Sequence, residues 1–226
     1  INIGTAKATN VAIGINHTIA LMSDGTVRTW GAASQDNKGS CPDNGTVCNP
    51  STFTDIIGVA AGFDTSCVLR QGGTVWCVGN NNEKELGNGS TAYSSTSFVQ
   101  VKTASSTYLT GVVQITASYT GVCALVSGGK VYCWGTGATG QVGATATSSS
   151  SYANTVKTSS GAVLTGINHL DGGYYADGSN TIGMCARDLD GDAMCWGDSY
   201  HGNLDLSFTG HTYYATPKQV TAVSCQ

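Results

Sequence analysis

Sulfur is the chemistry this sequence offers most plainly. Nine cysteines occur in 226 residues, and six fall in pairs ten residues apart: Cys67 and Cys77, Cys123 and Cys133, Cys185 and Cys195. Thiolates at short spacing hold zinc, but the pattern there is a Cys-x2-Cys knuckle, which is lacking here. Repeated pairs at one spacing point to disulfides and so to an oxidising compartment. Cys41 and Cys48 flank a Pro-Asp-Asn-Gly turn and most simply bond to each other. Cys225 is then odd: free, bonded to another chain, or displacing a partner in the Cys41–Cys48 loop.

Other reactive side chains are sparse. Asp198, Ser199 and His201 lie close together in what reads as a surface loop. His17, His169, His201 and His211 show no ligand spacing. There is no Gly-x-Ser-x-Gly elbow, phosphate loop or His-Glu-x-x-His. Asp188, Asp190 and Asp192 alternate around Gly191, a weak calcium candidate against the simpler reading of a solvated turn. The expectation is no catalytic residue, no bound cofactor and no metal. Formal charge is -4 and charged residues make up 11%, with lysines and arginines scattered singly, which argues against a nucleic-acid partner. No apolar run is long enough to cross a bilayer, so membrane insertion is not expected. The chain starts at Ile1 without Met, which suits a processed mature form.

The elements that position the cysteines repeat. IALMSDGTVRTWG (19–31), CVLRQGGTVWCVG (67–79), CALVSGGKVYCWG (123–135) and CARDLDGDAMCWG (185–197) align without a gap. Alternation around a Gly-containing turn is the mark of a β-hairpin. Cys67 and Cys77 are symmetric about Gly72, which implies a three-residue loop with its third position, Gly25, Gly73, Gly129 or Gly191, left-handed. Paired cysteines then face each other across adjacent strands, close enough to bond. The first unit has Ile19 and Thr29 in those places, so both partners are replaced together.

Each hairpin is followed by a polar loop with a shared ending, NNNEKELG (80–87), TGATGQVG (136–143) and DSYHGNLD (198–205). The first loop lacks the small apolar residue before its last Gly. Phe53–Ile56, Val99–Val101, Thr155–Lys157, Lys218–Val220 and Ile1–Ile3 read as strands that open repeats. The expectation is one all-β domain, 1–226, in approximate repeats 1–49, 50–97, 98–153 and 154–226. Trp30, Trp134 and Trp196 share one position and should pack between sheets. Trp76 should fill space beside the smaller Val78. Asn16, Asn44 and Asn88 begin glycosylation sequons.

Gly14-Ile15-Asn16-His17 through Trp30-Gly31, and Cys133-Trp134-Gly135 with Gly140-Gln141-Val142-Gly143, resemble the repeats of the regulator of chromosome condensation family. The resemblance implies a β-propeller, here of about four blades, closed on itself or completed by another chain. The family's nucleotide-exchange activity is not carried over, because its residues cannot be matched. The reading is an extracellular, non-enzymatic binding or assembly module, an adhesin or a subunit of a surface appendage, or else a free secreted inhibitor or lectin-like binder. The partner is a protein or glycan on a surface, with self-assembly as an option.

Overall fold

A computed structural model describes residues 5–32, 36–41, 47–144, 148–175, 181–199, 204 and 212–220. Cys225, His201, His211, the Asn44 sequon and Ile1–Ile3 lie outside these residues. The fold is all-β, and no helix occurs among the described residues. The alternating stretches around each Gly turn fold as hairpins; each hairpin has an inner strand before it, and those of the second, third and fourth sheets also have an outer strand after them.

The first sheet holds β1 (Ala8–Ile13), β2 (His17–Met22) and β3 (Val27–Gly31). The second holds β4 (Ile56–Ala61), β5 (Thr65–Arg70), β6 (Val75–Asn80) and β7 (Ser94–Gln100). A short hairpin, β8 (Lys102–Ala104) with β9 (Thr107–Tyr108), leads to β10 (Val112–Ala117), β11 (Gly121–Val126), β12 (Lys130–Gly135) and β13 (Ser150–Thr155). The last sheet holds β14 (Ile167–Tyr175), β15 (Thr181–Asp188), β16 (Ala193–Asp198) and β17 (Tyr213–Gln219). Within each sheet the strands pair antiparallel in chain order. Every inner strand has a register shift at the same place, such as Ala8/Asn10 and Ile56/Gly58, and bulges of this kind increase strand twist.

Inner strands β1, β4, β10 and β14 face a central groove of about 380 Å³. Three apolar clusters fill the junctions between successive blades. Ile19 and Val27 meet Ile56 and Val59; Leu69 and Val75 meet Val112 and Ile115; Leu125 and Val131 meet Ile167 and Leu170. Packing runs from β1 to β4 to β10 to β14, and among the described residues β14 makes no comparable packing on β1. The described blades therefore form an open arc.

The hairpin loops have the three-residue form. Arg70 N donates to Thr74 O at 3.0 Å and Gly73 N to Arg70 O at 2.8 Å, with Gly73 at φ +71°. Cys67 and Cys77 stand directly opposite, Cα atoms 4.1 Å apart, and are bonded. The same holds for Cys123 and Cys133 at 4.2 Å and Cys185 and Cys195 at 4.1 Å. Cys41 bonds Cys48, which exchanges two backbone hydrogen bonds with Thr29. Blade 1, without a hairpin disulfide, thus has its outer segment clamped beside β3 instead.

Two expectations need correction. Val99–Val101, Thr155–Lys157 and Lys218–Val220 run at the ends of the outer strands β7, β13 and β17, or just past them, and so close blades; of the four segments among the described residues, only Phe53–Ile56 leads into an inner strand. Their shared apolar pattern reflects a junction position: Val101, Val156 and Val220 each donate N–H to the carbonyl at the start of the third strand, Val75, Val131 and Ala193. The first loop also keeps the shared form. Gly39, like Gly87 and Gly143, is left-handed, and Lys38 occupies the place of Leu86 and Val142.

Candidate binding surfaces and the polar blade junctions

Several of the buried polar groups occur where one blade meets the next. Trp134 and Trp196 are fully buried, and their indole N–H groups donate to Glu85 O at 2.8 Å and Gln141 O at 3.0 Å in the preceding blade. The acceptor precedes the small apolar residue, Leu86 or Val142, that packs beneath the indole. A left-handed Gly follows, and the indole lies so close that a Cβ on Gly87 would fall 2.6 Å from Trp134. The loop motif therefore exists to seat the tryptophan of the next blade.

The first junction solves the same problem differently. Val78 replaces the tryptophan and offers no donor. Asn37, equivalent to Glu85 and Gln141, instead receives the Ser66 hydroxyl at its carbonyl, 2.8 Å away. Since that hydroxyl is spent on Asn37, the 2.8 Å bond between His17 Nε2 and Ser66 Oγ runs from the imidazole N–H. His17 Nδ1 is then an unprotonated acceptor without a partner in the described residues. The contact from His17 is thus a side-chain relay across blades. Burial, assisted by the positive charge of Lys38, lowers the His17 pKa to about 4. Lys38 donates to Gly31 O at 2.7 Å and is fully buried. Ser66 is equally buried, so this Ser–His pair has no access to a substrate.

Glu85 is 2% exposed, and its carboxylate accepts the Glu83 N–H at 2.9 Å. Gln141 does the same with its amide oxygen toward Thr139 N at 3.0 Å. Desolvation raises the Glu85 pKa to about 7. An uncharged side chain does the equivalent work one blade later, so Glu85 is a loop staple.

The acidic turn is also committed internally. Asp188 Oδ1 accepts N–H bonds from Asp190 at 3.0 Å and Asp192 at 2.9 Å, and Asp192 Oδ2 accepts from Gln219 Nε2. No cluster of three metal-binding side chains forms among the described residues. Asp198 and Ser199 are buried at the end of β16. His169 is exposed, with Nδ1 3.5 Å from Gln114 Nε2. Among the described residues lining the central groove, the polar side chains are Thr116 and Asp171. Asn88 Oδ1 accepts Ser90 N within its own sequon.

A cleft that sequence reading missed opens on the outer rim between blades 1 and 2, about 470 Å³ in volume. Its floor is aromatic: Phe53 meets Trp76 edge-on at 5.2 Å and Phe98 at 6.0 Å. Arg70 stacks 4.2 Å above Phe53 and is fixed to Asp55 at 2.8 Å. Hydroxyl and amide groups of Ser40, Asn49, Ser51, Thr52, Thr96 and Ser97 ring it. Trp76 shares a face with Val78 as expected from period 2, but it packs in this rim cluster; Gly39 of the preceding loop lies against Val78.

Comparison with known proteins places these features in a family context. The description "Regulator of chromosome condensation (RCC1) repeat" matches residues 8–38, 56–84 and 112–141. The fold is similar to human WBSCR16, with TM-score 0.78 and 18% identity over 98% of this chain and 55% of that one. It is similar to Prp20p of Saccharomyces cerevisiae, TM-score 0.74 and 18% identity over 96% and 52%, a protein studied for its binding to Gsp1p and histones. It is also similar to the ectodomain of the Physcomitrella patens receptor kinase CR4, TM-score 0.51 and 17% identity over 85% and 41%. The chain thus spans about half the length of the WBSCR16 and Prp20p structures.

Proposed function

We propose that this chain, which is built of regulator of chromosome condensation repeats on a β-propeller architecture, is an extracellular protein-binding module without enzymatic activity. The disulfides support an oxidising location. The buried Ser66 and His17 side chains are engaged in a blade junction and the Glu85 carboxylate staples its own loop, which supports a binding role over a catalytic one. Prp20p, a structural neighbour studied for its binding to Gsp1p and histones, supports a protein partner by analogy of fold.

The observation that carries the reading is the aromatic rim cleft of Phe53, Trp76 and Phe98. Solvent-accessible aromatic surface edged by polar groups is the composition of a recognition surface. The role is that of an adhesin or a surface-appendage subunit. A free lectin-like binder is the second reading, favoured by the ring of hydroxyls and amides around the aromatic floor. Oxidised protein is to be tested against cell-surface proteins and an immobilised glycan panel, alongside Trp76→Ala. Binding lost in the variant supports the cleft, and the ligand class separates the readings. Binding unchanged by the substitution overturns it.

A further inference from the structure

We infer that the rim cleft takes a short strand–turn–strand segment of a partner polypeptide, in the seat that this chain fills with its own hairpins at the next two blade junctions. The inference rests on the reading of the cleft as a recognition surface and names what it recognises.

The second and third links between blades follow one plan. Past the outer strand comes a valine whose N–H caps the carbonyl at the start of the third strand, Val101 on Val75 and Val156 on Val131. A small hairpin then leaves the sheet. After Val101 it is β8 with β9; after Val156 it is made by the bridge of Lys157 with Val163, and Thr158 N donates to Ala162 O at 2.8 Å. A leucine shuts each hairpin: Leu109 N donates to Val101 O at 3.0 Å and Leu164 N to Val156 O at 2.8 Å. The base is tied to the loop glycine of the earlier blade, Lys102 N to Gly87 O and Lys157 N to Gly143 O, at 2.9 and 2.8 Å. Strand β8 packs on β13, the outer strand of the following blade, and Leu109 and Leu164 are 2% and 5% exposed.

The first link, whose residues 49–55 are all described, has no such hairpin. Thr29 pairs with Cys48 as Cys77 does with Val99 and Cys133 with Asn154, so Pro50 stands at the position of Val101 and Val156. Counted back from the inner strand, Phe53 stands at that of Leu109 and Leu164. Residues 102–108 and 157–163 intervene in the later links, but in the first only Ser51 and Thr52 do. Proline has no N–H to give, and the Val27 carbonyl is met instead by Arg28 Nη1 from its own strand at 2.8 Å.

What the hairpin covers elsewhere is bare here. Thr96, Ser97 and Phe98 of β7 hold the positions of Ser151, Tyr152 and Ala153 of β13. Thr96 and Ser97 are exposed, and Phe98 is half-buried where Ala153 is 2% exposed. With Pro50, Phe53 and Trp76 they line the cleft. The cleft is continuous with the interface of the first two blades, since Phe53, Trp76 and Phe98 pack against its apolar cluster. The fitting segment shares the chemistry of the chain's own hairpins, KTASSTY (102–108) and KTSSGAV (157–163). Both begin with a lysine, turn on small hydroxylated residues and end on an apolar side chain. The apolar side chain suits the aromatic floor, and the hydroxylated residues suit the polar ring around it.

An isolated two-stranded hairpin is marginal in water, so the probe is a cyclised one. A fluorescein-labelled, backbone-cyclised peptide of sequence VKTASSTYL (101–109) is titrated with the oxidised protein and followed by fluorescence anisotropy. Saturable binding is expected, weakened about tenfold or more by Trp76→Ala and by Thr96→Arg. Thr96 is exposed, so its substitution covers the case that Trp76→Ala fails to fold. Replacing Ser51 and Thr52 by KTASSTY gives the first link its own hairpin and should abolish uptake of the peptide. No saturable binding up to millimolar peptide, or binding that survives both substitutions, overturns the polypeptide occupant. If the glycan panel then still gives a Trp76-dependent signal, the cleft stands as a recognition surface with a glycan in it. With no such signal there or on cell-surface proteins, both readings fall.

Discussion

Trp134 donates its indole N–H to the carbonyl of Glu85, 49 residues earlier, across the junction between two blades at 2.8 Å. The bond is buried, repeated one blade later by Trp196 and Gln141, and replaced in the first junction by Ser66 and Asn37. One carbonyl position is therefore satisfied by two different donors, an indole or a hydroxyl. Leaving a buried carbonyl unpaired costs about 1–3 kcal/mol, and the repeat avoids that at each junction within the chain.

Trp134→Phe keeps most of the packing and deletes the donor. The expected loss in unfolding free energy is about 2 kcal/mol, with added cost from the lost ring volume. Urea denaturation measures it, and Trp196→Phe should behave alike. A change within error would show that the bond contributes nothing.

Ser66→Ala removes the donor to Asn37 and the acceptor for His17 together. It should destabilise by about 2–3 kcal/mol, although it deletes a single oxygen. Ser127→Ala, in the turn after β11, serves as a control and should change stability by less than about 0.5 kcal/mol.

His17 and Glu85 tilt the pH dependence in opposite directions. The His17 pKa falls on folding from 6.5 to about 4, so its contribution is intact above 6.5 and is lost as pH falls toward 4. The Glu85 pKa rises from 4.5 to about 7, so its contribution is intact below 4.5 and is lost as pH rises through 7. Each effect spans about 3 kcal/mol at most. Between pH 4.5 and 6.5 they oppose, and the parent's stability from these two groups should be nearly flat. Glu85→Gln removes one slope and should gain stability relative to the parent as pH rises to 7. Denaturation midpoints for both proteins across that range check the sign; parallel curves would refute it.

Replacing Cys123 and Cys133 by alanine opens a crosslink of sequence separation 10. Chain entropy gives a loss of about 2.7 kcal/mol. Two buried alanines in place of a packed disulfide add a cavity term, so the measured loss should equal or exceed that figure. Thermal unfolding of the double variant, under oxidising conditions, is the check.

Much of this molecule was written locally. The spacing of Cys67 and Cys77 about Gly72 specified a three-residue turn and opposed cysteines, because strand register follows directly from loop length. The recurring hairpin, its left-handed Gly and the trailing loop specified a propeller-type repeat. The loop-ending Gly and the shared tryptophan could be seen as one motif, though not what joined them. Sequence alternation also placed Trp76 and Val78 on one face, by the two-residue period of a strand.

What only the tertiary structure decided lies between blades. No local signal pairs Ser66 with Asn37 or Trp134 with Glu85, since each contact joins residues far apart in the chain. The rim cleft draws Phe53, Trp76 and Phe98 from three separate segments. Whether the arc closes is likewise invisible locally, because it depends on a small rotation accumulated at each junction, and short-range pattern carries no record of that sum. The outer strands were misread as openers for the same reason: an apolar Val-containing edge looks alike whether it begins one blade or ends another, and only the neighbour it packs against tells them apart.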